Sequence, residues 1–385
     1  MEKTMDKPSV YKTLPAVFAV GEEYQILVPV KAPCLMWVQV GDKCYYDAKQ
    51  GIMCSDTTMH RMHVPMEALN QAKEYTVHSR TIIDRKPYFP ETEEEELWHT
   101  KFRPLEEGKK EIHMYHISDA HSRMDTVIQA GTWFGDDLDL LVMNGDMPNH
   151  SGNVEYFDNI YFIAEQITKG RVPILFVRGN HDCRGFYAEK IGDYIPLDGE
   201  NTFFKFHLGP ICGVALDCGE DKEDSCAAYG HTVCCHPYRE AQTDFLNRTA
   251  EFAQNDDAWK RADYRLVICH VPFTRIDEKP FDIENEIYEE WVRILREKIH
   301  PDCMLCGHTH TVEVNLPGSE FDHRGQTWPV VIGAKPCYMD DENDPIYIGA
   351  AFTLKNGGIQ VAFTDSNKKV LETYVLKEEN EKEDR

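Results

Sequence analysis

Long apolar runs are missing from this chain of 385 residues. Its longest uncharged stretches, such as Leu208 to Leu216, are about nine residues, far short of the roughly 20 that a helix needs to span a bilayer, so a soluble chain with no membrane partner is expected. Cations are scarce as well: Lys+Arg number 41 against 66 Asp+Glu, a formal charge of −25. That balance excludes a general nucleic-acid binder, which needs a basic face to release counterions, and a protein held on anionic lipid. A regular cysteine framework is also lacking. The 13 cysteines are odd in number and irregularly spaced, so they cannot all pair within the chain, and free thiols in a reducing cytoplasm are the simpler account. No repeat of fixed period is visible. Leu14 to Val20 follows Lys3, Lys7 and Lys12, but Glu2 and Asp6 sit among those lysines and Pro15 interrupts the stretch, so it reads as a first strand and not a signal peptide.

What is present divides along the chain. From Tyr24 to Ile83, period-2 apolar positions (Tyr24, Ile26, Val28, Val30; Met36, Val38, Val40) predict short strands with one buried face, hence a small β-sandwich over residues 1–86. Leu69 followed by Tyr75 resembles the tyrosine corner of fibronectin type III domains. Pro87, Pro90 and the acidic run Glu91 to Glu96 read as a linker over 87–110. From 111 to 376 apolar strands alternate with amphipathic helices, as in an α/β layered domain, and 377–385 is a charged tail. Gly209-Pro210 and Asn356-Gly357 mark two hairpins.

The chemistry sits behind the strands. Ile112 to Ile117 is followed by Asp119 and His121, Leu138 to Met143 by Gly145-Asp146, and Ile174 to Val177 by Arg178-Gly179-Asn180-His181-Asp182. Leu266 to Cys269 ends at His270, and Cys303 to Leu305 leads into Gly307-His308-Thr309-His310. In a layered α/β domain the carboxyl ends of neighbouring strands converge on one crevice, so these groups should be gathered in space. Three carboxylates, one amide and five imidazoles without thiolate fit borderline divalent ions such as Mn, Fe, Zn, Co or Ni, and they are too many for one ion. Two ions sharing a carboxylate would use them. Each piece alone is more often structural; five in this order, each behind an apolar strand, are not.

These residues resemble the calcineurin-like metallophosphoesterases, whose pattern is Asp-x-His, Gly-Asp, Gly-Asn-His-(Asp/Glu), a later His and Gly-His-x-His. The resemblance implies a four-layer α-β-β-α sandwich, here preceded by the small fibronectin-III-like domain, and two divalent metal ions. By carry-over, Asp119, His121, Asp146 and His310 would hold one ion, and Asp146, Asn180, His270 and His308 the other, with Asp146 bridging. It also implies that His181 protonates the leaving oxygen and that Asp182 orients its ring. A β-sandwich before the catalytic domain is similar to the plan of the purple acid phosphatases, but His121 and Asn149 stand where those enzymes have Gly and Tyr, so no Fe(III)–Tyr colour is expected. Arg178, Arg123 and His150 lie beside the motifs as candidate phosphate contacts.

The expected activity is hydrolysis of a small phosphomonoester or phosphodiester by in-line attack of a metal-activated hydroxide. The other readings are an inactive metal-binding scaffold acting through its β-sandwich, and a zinc protein built on the Cys/His stretch between Asp217 and Glu240 or on Cys303-x-x-Cys306.

Overall fold

The computed structural model describes residues 7–339 and 345–379; of the charged tail, 380–385 lie outside the described residues. Two sheets face each other. The ten-stranded one runs, in spatial order, Val370–Lys377, Gly358–Asp365, Pro345–Lys355, Glu111–Ile117, Leu140–Asn144, Ile174–Val177, Ala16–Val20, Glu23–Pro29 and Met59–Pro65, with Lys335–Met339 beside Pro345–Lys355. The six-stranded one runs Phe204–Leu208, Ile211–Leu216, Tyr264–Cys269, Cys303–Cys306, Val330–Gly333 and Val312–Asn315.

Alternation along the central strands builds four layers, because successive side chains point to opposite faces. Leu140 and Val142 face inward onto Leu266, Ile268 and Leu305 of the other sheet. Leu141 and Met143 face outward onto Ile160 and Ile163 of the helix Asp158–Thr168. On the far side, Val214, Val267 and Met304 pack beneath Leu246, Trp291 and Val292 of the helices Cys235–Asn255 and Asn285–Ile294. The sequence therefore carries near-continuous apolar runs where strands are covered on both faces. Both hairpins form as expected, with Leu208 opposite Ile211 and Lys355 opposite Gly358. Asn356 and Gly357 take φ of 47° and 81°, the left-handed pair that a two-residue hairpin turn requires.

The N-terminal region is β-rich, as expected, but one of its two sheets is shared. Ala16–Val20 lies parallel to Ile174–Val177, with Phe18 opposite Ile174, so the first strands continue the large sheet. The second sheet, Glu96–Lys101, Glu74–Asp84, Cys34–Val40 and Lys43–Tyr46, packs on this extension. Part of the expected linker is thus a strand: Glu96–Lys101 pairs with Glu74–Asp84, because Trp98 and Thr100 supply buried alternate positions that the acidic run upstream obscures. Tyr75 closes no turn of its own. Its hydroxyl donates to the carbonyl of Gly170, 2.8 Å away, tying the N-terminal strands to the α/β layers.

Candidate metal centre

Three strands of one sheet and two of the other end at the same crevice. Leaving a strand abruptly demands unusual backbone, and the sequence accommodates it at named positions. Asp119, His121, Asp146, His308 and His310 all have positive φ, between 45° and 72°. Such φ is sparsely populated for side-chain-bearing residues and persists only where the surroundings hold it. Gly179 is required by close approach: a Cβ there would stand 2.1 Å from Asp146 Oδ1. Gly307 is similar, with a would-be Cβ 1.9 Å from Ser118 Oγ.

The donor atoms converge. His310 Nε2 is 3.3 Å from Asp119 Oδ1 and 2.9 Å from His121 Nε2. His121 Nε2 lies 3.8 Å from Asp119 Oδ1 and 3.9 Å from Asp146 Oδ2. His270 Nε2 is 3.3 Å from Asp146 Oδ2 and 3.8 Å from Asp119 Oδ1. Asp119 and Asp146 therefore both stand between His121 on one side and His270 on the other. His308 Nδ1 meets Asn180 Oδ1 at 3.0 Å, beside His270, whose ring centroid is 5.5 Å from that of His308.

These atoms suit a cation. His270 Nδ1 donates to the Asn144 carbonyl at 2.7 Å, which leaves Nε2 to present a lone pair, yet buried Nε2 has no hydrogen-bond partner. Asp119 Oδ2 accepts from Ser118 Oγ and the His308 amide, while its buried Oδ1 has none. Buried polar atoms are ordinarily satisfied, so partnerless ones converging from several strands mark a place for a positive charge. Among the described residues, the groups of three or more His, Cys, Asp or Glu that could hold a metal are all here: Asp119–His121–His310, His121–Asp146–His181 and Asp119–Asp146–His270. None involves the cysteines and histidines of 217–240, or Cys303 and Cys306.

Electrostatics agree. Burial disfavours the charged form of His270, but Asp146 and Asp119 outweigh it and raise its pKa to about 10, so the pair of carboxylates favours positive charge at this place. Asp119 and Asp146 are held below the ordinary carboxylate range despite their burial, chiefly by His270. Burial lowers His121 and His308 to about 4, so both present neutral rings at physiological pH.

The remaining expected residues divide. His181 is at the site: its ring centroid is 4.6 Å from that of His121, and its Nδ1 donates to the Asn149 carbonyl at 2.8 Å. Asp182 does not orient that ring. Its buried Oδ2 instead accepts the amides of Gly179 and Asp146, at 2.7 and 3.2 Å, bracing the two turns, and burial beside Asp146 raises its pKa to about 7. Arg178 is half-buried and its Nε donates to Asp217 Oδ2 at 2.7 Å, so its known partner is a carboxylate outside the donor cluster. Arg123 is exposed at the start of the helix Met124–Gly131, and His150 Nδ1 accepts the Gly152 amide within its own turn.

Two supporting residues carried no warning in the sequence beyond standing next to a motif. Ser118 bridges Asp119 and the Asn144 carbonyl. The Asn144 side chain crosses between the sheets, donating to Leu305 O at 3.1 Å and to His116 Nε2 at 3.1 Å.

Comparison with known proteins accords with this geometry. Residues 112–312 match the family described as calcineurin-like phosphoesterase. No curated protein matches the sequence. Among solved structures, a purple acid phosphatase from yellow lupin (Lupinus luteus) seeds is similar with a TM-score of 0.60 at 11% identity, covering 95% of this chain and 74% of that one. PhoD is similar with a TM-score of 0.57 at 10% identity, covering 96% and 90%. At such identities the likeness is one of fold.

Proposed function

This chain belongs to the calcineurin-like phosphoesterase family, and from that premise we propose that it hydrolyses a small phosphomonoester or phosphodiester with two divalent ions in the crevice. The observation that carries the reading is the pair Asp119 and Asp146, buried between His121 and His270 with Asp119 Oδ1 and His270 Nε2 lacking partners. Asp119, His121, Asp146 and His310 would hold one ion, and Asp146, Asn180, His270 and His308 the other; the donors suit Mn, Fe, Zn, Co or Ni. Such ions supply Lewis acidity toward phosphoryl oxygens and a more acidic water at neutral pH.

The chain's own groups do the rest. The Asn149 carbonyl fixes the His181 Nδ1 proton, leaving Nε2 as the nitrogen that can carry a proton to the leaving oxygen. Asp182 holds the Gly179 and Asp146 amides and so keeps Asn180 and Asp146 at their separation. The excess of acids is no obstacle, because bound divalent charge dominates locally over a surface screened within about 8 to 10 Å. All twelve described cysteines are free thiols, and Cys218 Sγ and Cys269 Sγ stay unbonded at 3.4 Å, which supports the reducing cytoplasm as its location.

The test is hydrolysis of p-nitrophenyl phosphate and its bis ester under several divalent metals, with metal content measured alongside. Asp146→Asn should lose more than the roughly 10- to 100-fold in metal affinity that an outer partner costs, and turnover with it. Activity surviving in that variant refutes the site. His181→Ala should keep its metal and lose turnover most on poor leaving groups.

A further inference from the structure

The strand Pro345–Lys355 changes neighbours along one of its edges. From Lys355 to Ala350 that edge is held by Glu111–Ile117, with His116 opposite Ala350; at Ile348 it passes to Lys335–Met339, with Lys335 opposite Ile348. Continued by two residues, the first pairing would set Ser118 against Ile348, whose other edge is already taken by Asp365. The strand that carries Asp119 therefore loses its ladder partner one residue before Asp119 turns into the crevice.

Ser118 is fully buried there, so its main-chain groups still need partners. One hydroxyl serves both: the Ser118 amide donates to Tyr347 Oη at 2.9 Å, and Oη donates to the Ser118 carbonyl at 2.6 Å. We propose, on the two-ion reading above, that Tyr347 is a positioning residue for Asp119, fixing the turn that presents Asp119 Oδ1 and so governing one ion more than the other.

Tyr347 is itself rigidly held. It is 1% exposed and belongs to the same buried cluster as Tyr115, Ile117 and Ala334. Its carbonyl accepts the Ser366 amide at 2.9 Å, and its amide donates to Ser366 Oγ at 3.3 Å. Asp119 has φ of 54°, a conformation that persists only where neighbours impose it. Ser118 Oγ is engaged by Asp119 Oδ2 and the Asn144 carbonyl, so Ser118 is gripped by the crevice through its side chain and by Tyr347 through its main chain. The asymmetry follows from the donors. Asp119 Oδ1 faces His310 Nε2 at 3.3 Å, within the set that would hold the first ion. The second set feels Asp119 only through Oδ2, which accepts the His308 amide at 2.9 Å.

The experiment strips the full chain of metal, titrates it with Mn2+ by calorimetry and follows thermal unfolding of the metal-free protein. The wild type should take up two equivalents. In Tyr347→Phe one equivalent should weaken about 10-fold or more, the usual cost of removing a partner that orients a ligand, while the other stays within about threefold. Tyr115→Phe is the matched control, since it deletes a buried hydroxyl of the same cluster that bonds Thr364 Oγ1 at 2.8 Å and no donor turn. It should lose comparable stability and keep both equivalents at wild-type affinity. Equal weakening of the two equivalents in Tyr347→Phe overturns the inference, as does no weakening, or the same asymmetry in Tyr115→Phe. Should Tyr347→Phe fail to fold, Ser366→Ala, which loosens the main chain of Tyr347, should show the same asymmetry at about two- to threefold, and its absence overturns the inference. The predicted asymmetry in a protein that hydrolyses no phosphate ester would uphold the inference and sink the hydrolase reading. Fewer than two equivalents in the wild type overturns it outright.

Discussion

The strand ends that gather the donors and the segments that roof them are built on opposite plans. Asp119, Asp146, Asn180, His270 and His308 each follow an apolar strand within three residues, and parallel pairing within each sheet, together with the packing of the two sheets face to face, brings them together. The roof around Asp221 owes its position to side chains from elsewhere: Arg184 from beyond the third motif, Arg239 reaching back to the Glu220 carbonyl, and Glu284 clamping Arg239 at 2.8 Å. The first plan tolerates change in distant sequence but nothing at the turn; the second tolerates the turn and depends on remote partners.

The largest effect should come from denying the turns their space. Gly179→Ala and Gly307→Ala place a Cβ 2.1 and 1.9 Å from site oxygens, far inside contact distance, so one turn must shift. We expect destabilisation by about 1–3 kcal/mol or more together with loss of bound metal. Gly192→Ala, whose nearest neighbour is Leu197 Cδ1 at 3.4 Å, should be close to neutral in both. Thermal unfolding and metal content of the three variants decide it; equal behaviour would erase the contrast between crowded turns and ordinary surface.

That contrast also explains what could be read from the sequence. The cluster that could hold a metal was legible because a buried strand, a glycine and a donor are all local in sequence. The partners of Asp182 and Arg178 were hidden for the complementary reason: the Asp146 amide and Asp217 lie 36 and 39 residues away and leave no local mark, although Asp182 also holds the Gly179 amide three residues before it. The sharing of the large sheet by Ala16–Val20 was equally hidden, since nothing in an alternating strand names the edge it will join across about 150 residues. Asp221 had no signal beyond its place in a polar stretch.

Next in size is Asn144→Ala, which tests whether the floor beneath the donors behaves as part of the first plan. It leaves Leu305 O and His116 Nε2 without their donor in a buried position. A loss of about 1–3 kcal/mol is expected from unpaired buried groups, and metal affinity should fall about 10-fold because the Asn144 turn also carries the carbonyl that fixes His270. Calorimetric metal titration separates the two effects.

His116 gives a pH-dependent version of the same test. Burial depresses its pKa to about 3 in the fold, against about 6.5 unfolded. Below 6.5 the unfolded chain therefore takes up a proton that the folded chain refuses, so this group's contribution is complete above pH 6.5 and is lost progressively as pH falls toward 3. His116→Gln should flatten that part of the stability–pH curve. A curve unchanged from wild type between pH 6.5 and 4 would mean that His116 is not held neutral between the sheets.

The smallest effect belongs to the seam between the N-terminal strands and the α/β layers. Tyr75→Phe deletes one buried hydroxyl and its bond to Gly170 O while keeping the ring against Trp98 and Phe102. The bond is worth about 1 kcal/mol, and the carbonyl left behind adds to the loss. Because Ala16–Val20 is hydrogen-bonded into the large sheet, the seam should not open when this one contact goes: unfolding should remain a single transition at slightly lower denaturant. Two separated transitions in Tyr75→Phe would mean that the N-terminal strands are a unit the site can do without, and that the shared sheet couples them less than its pairing implies.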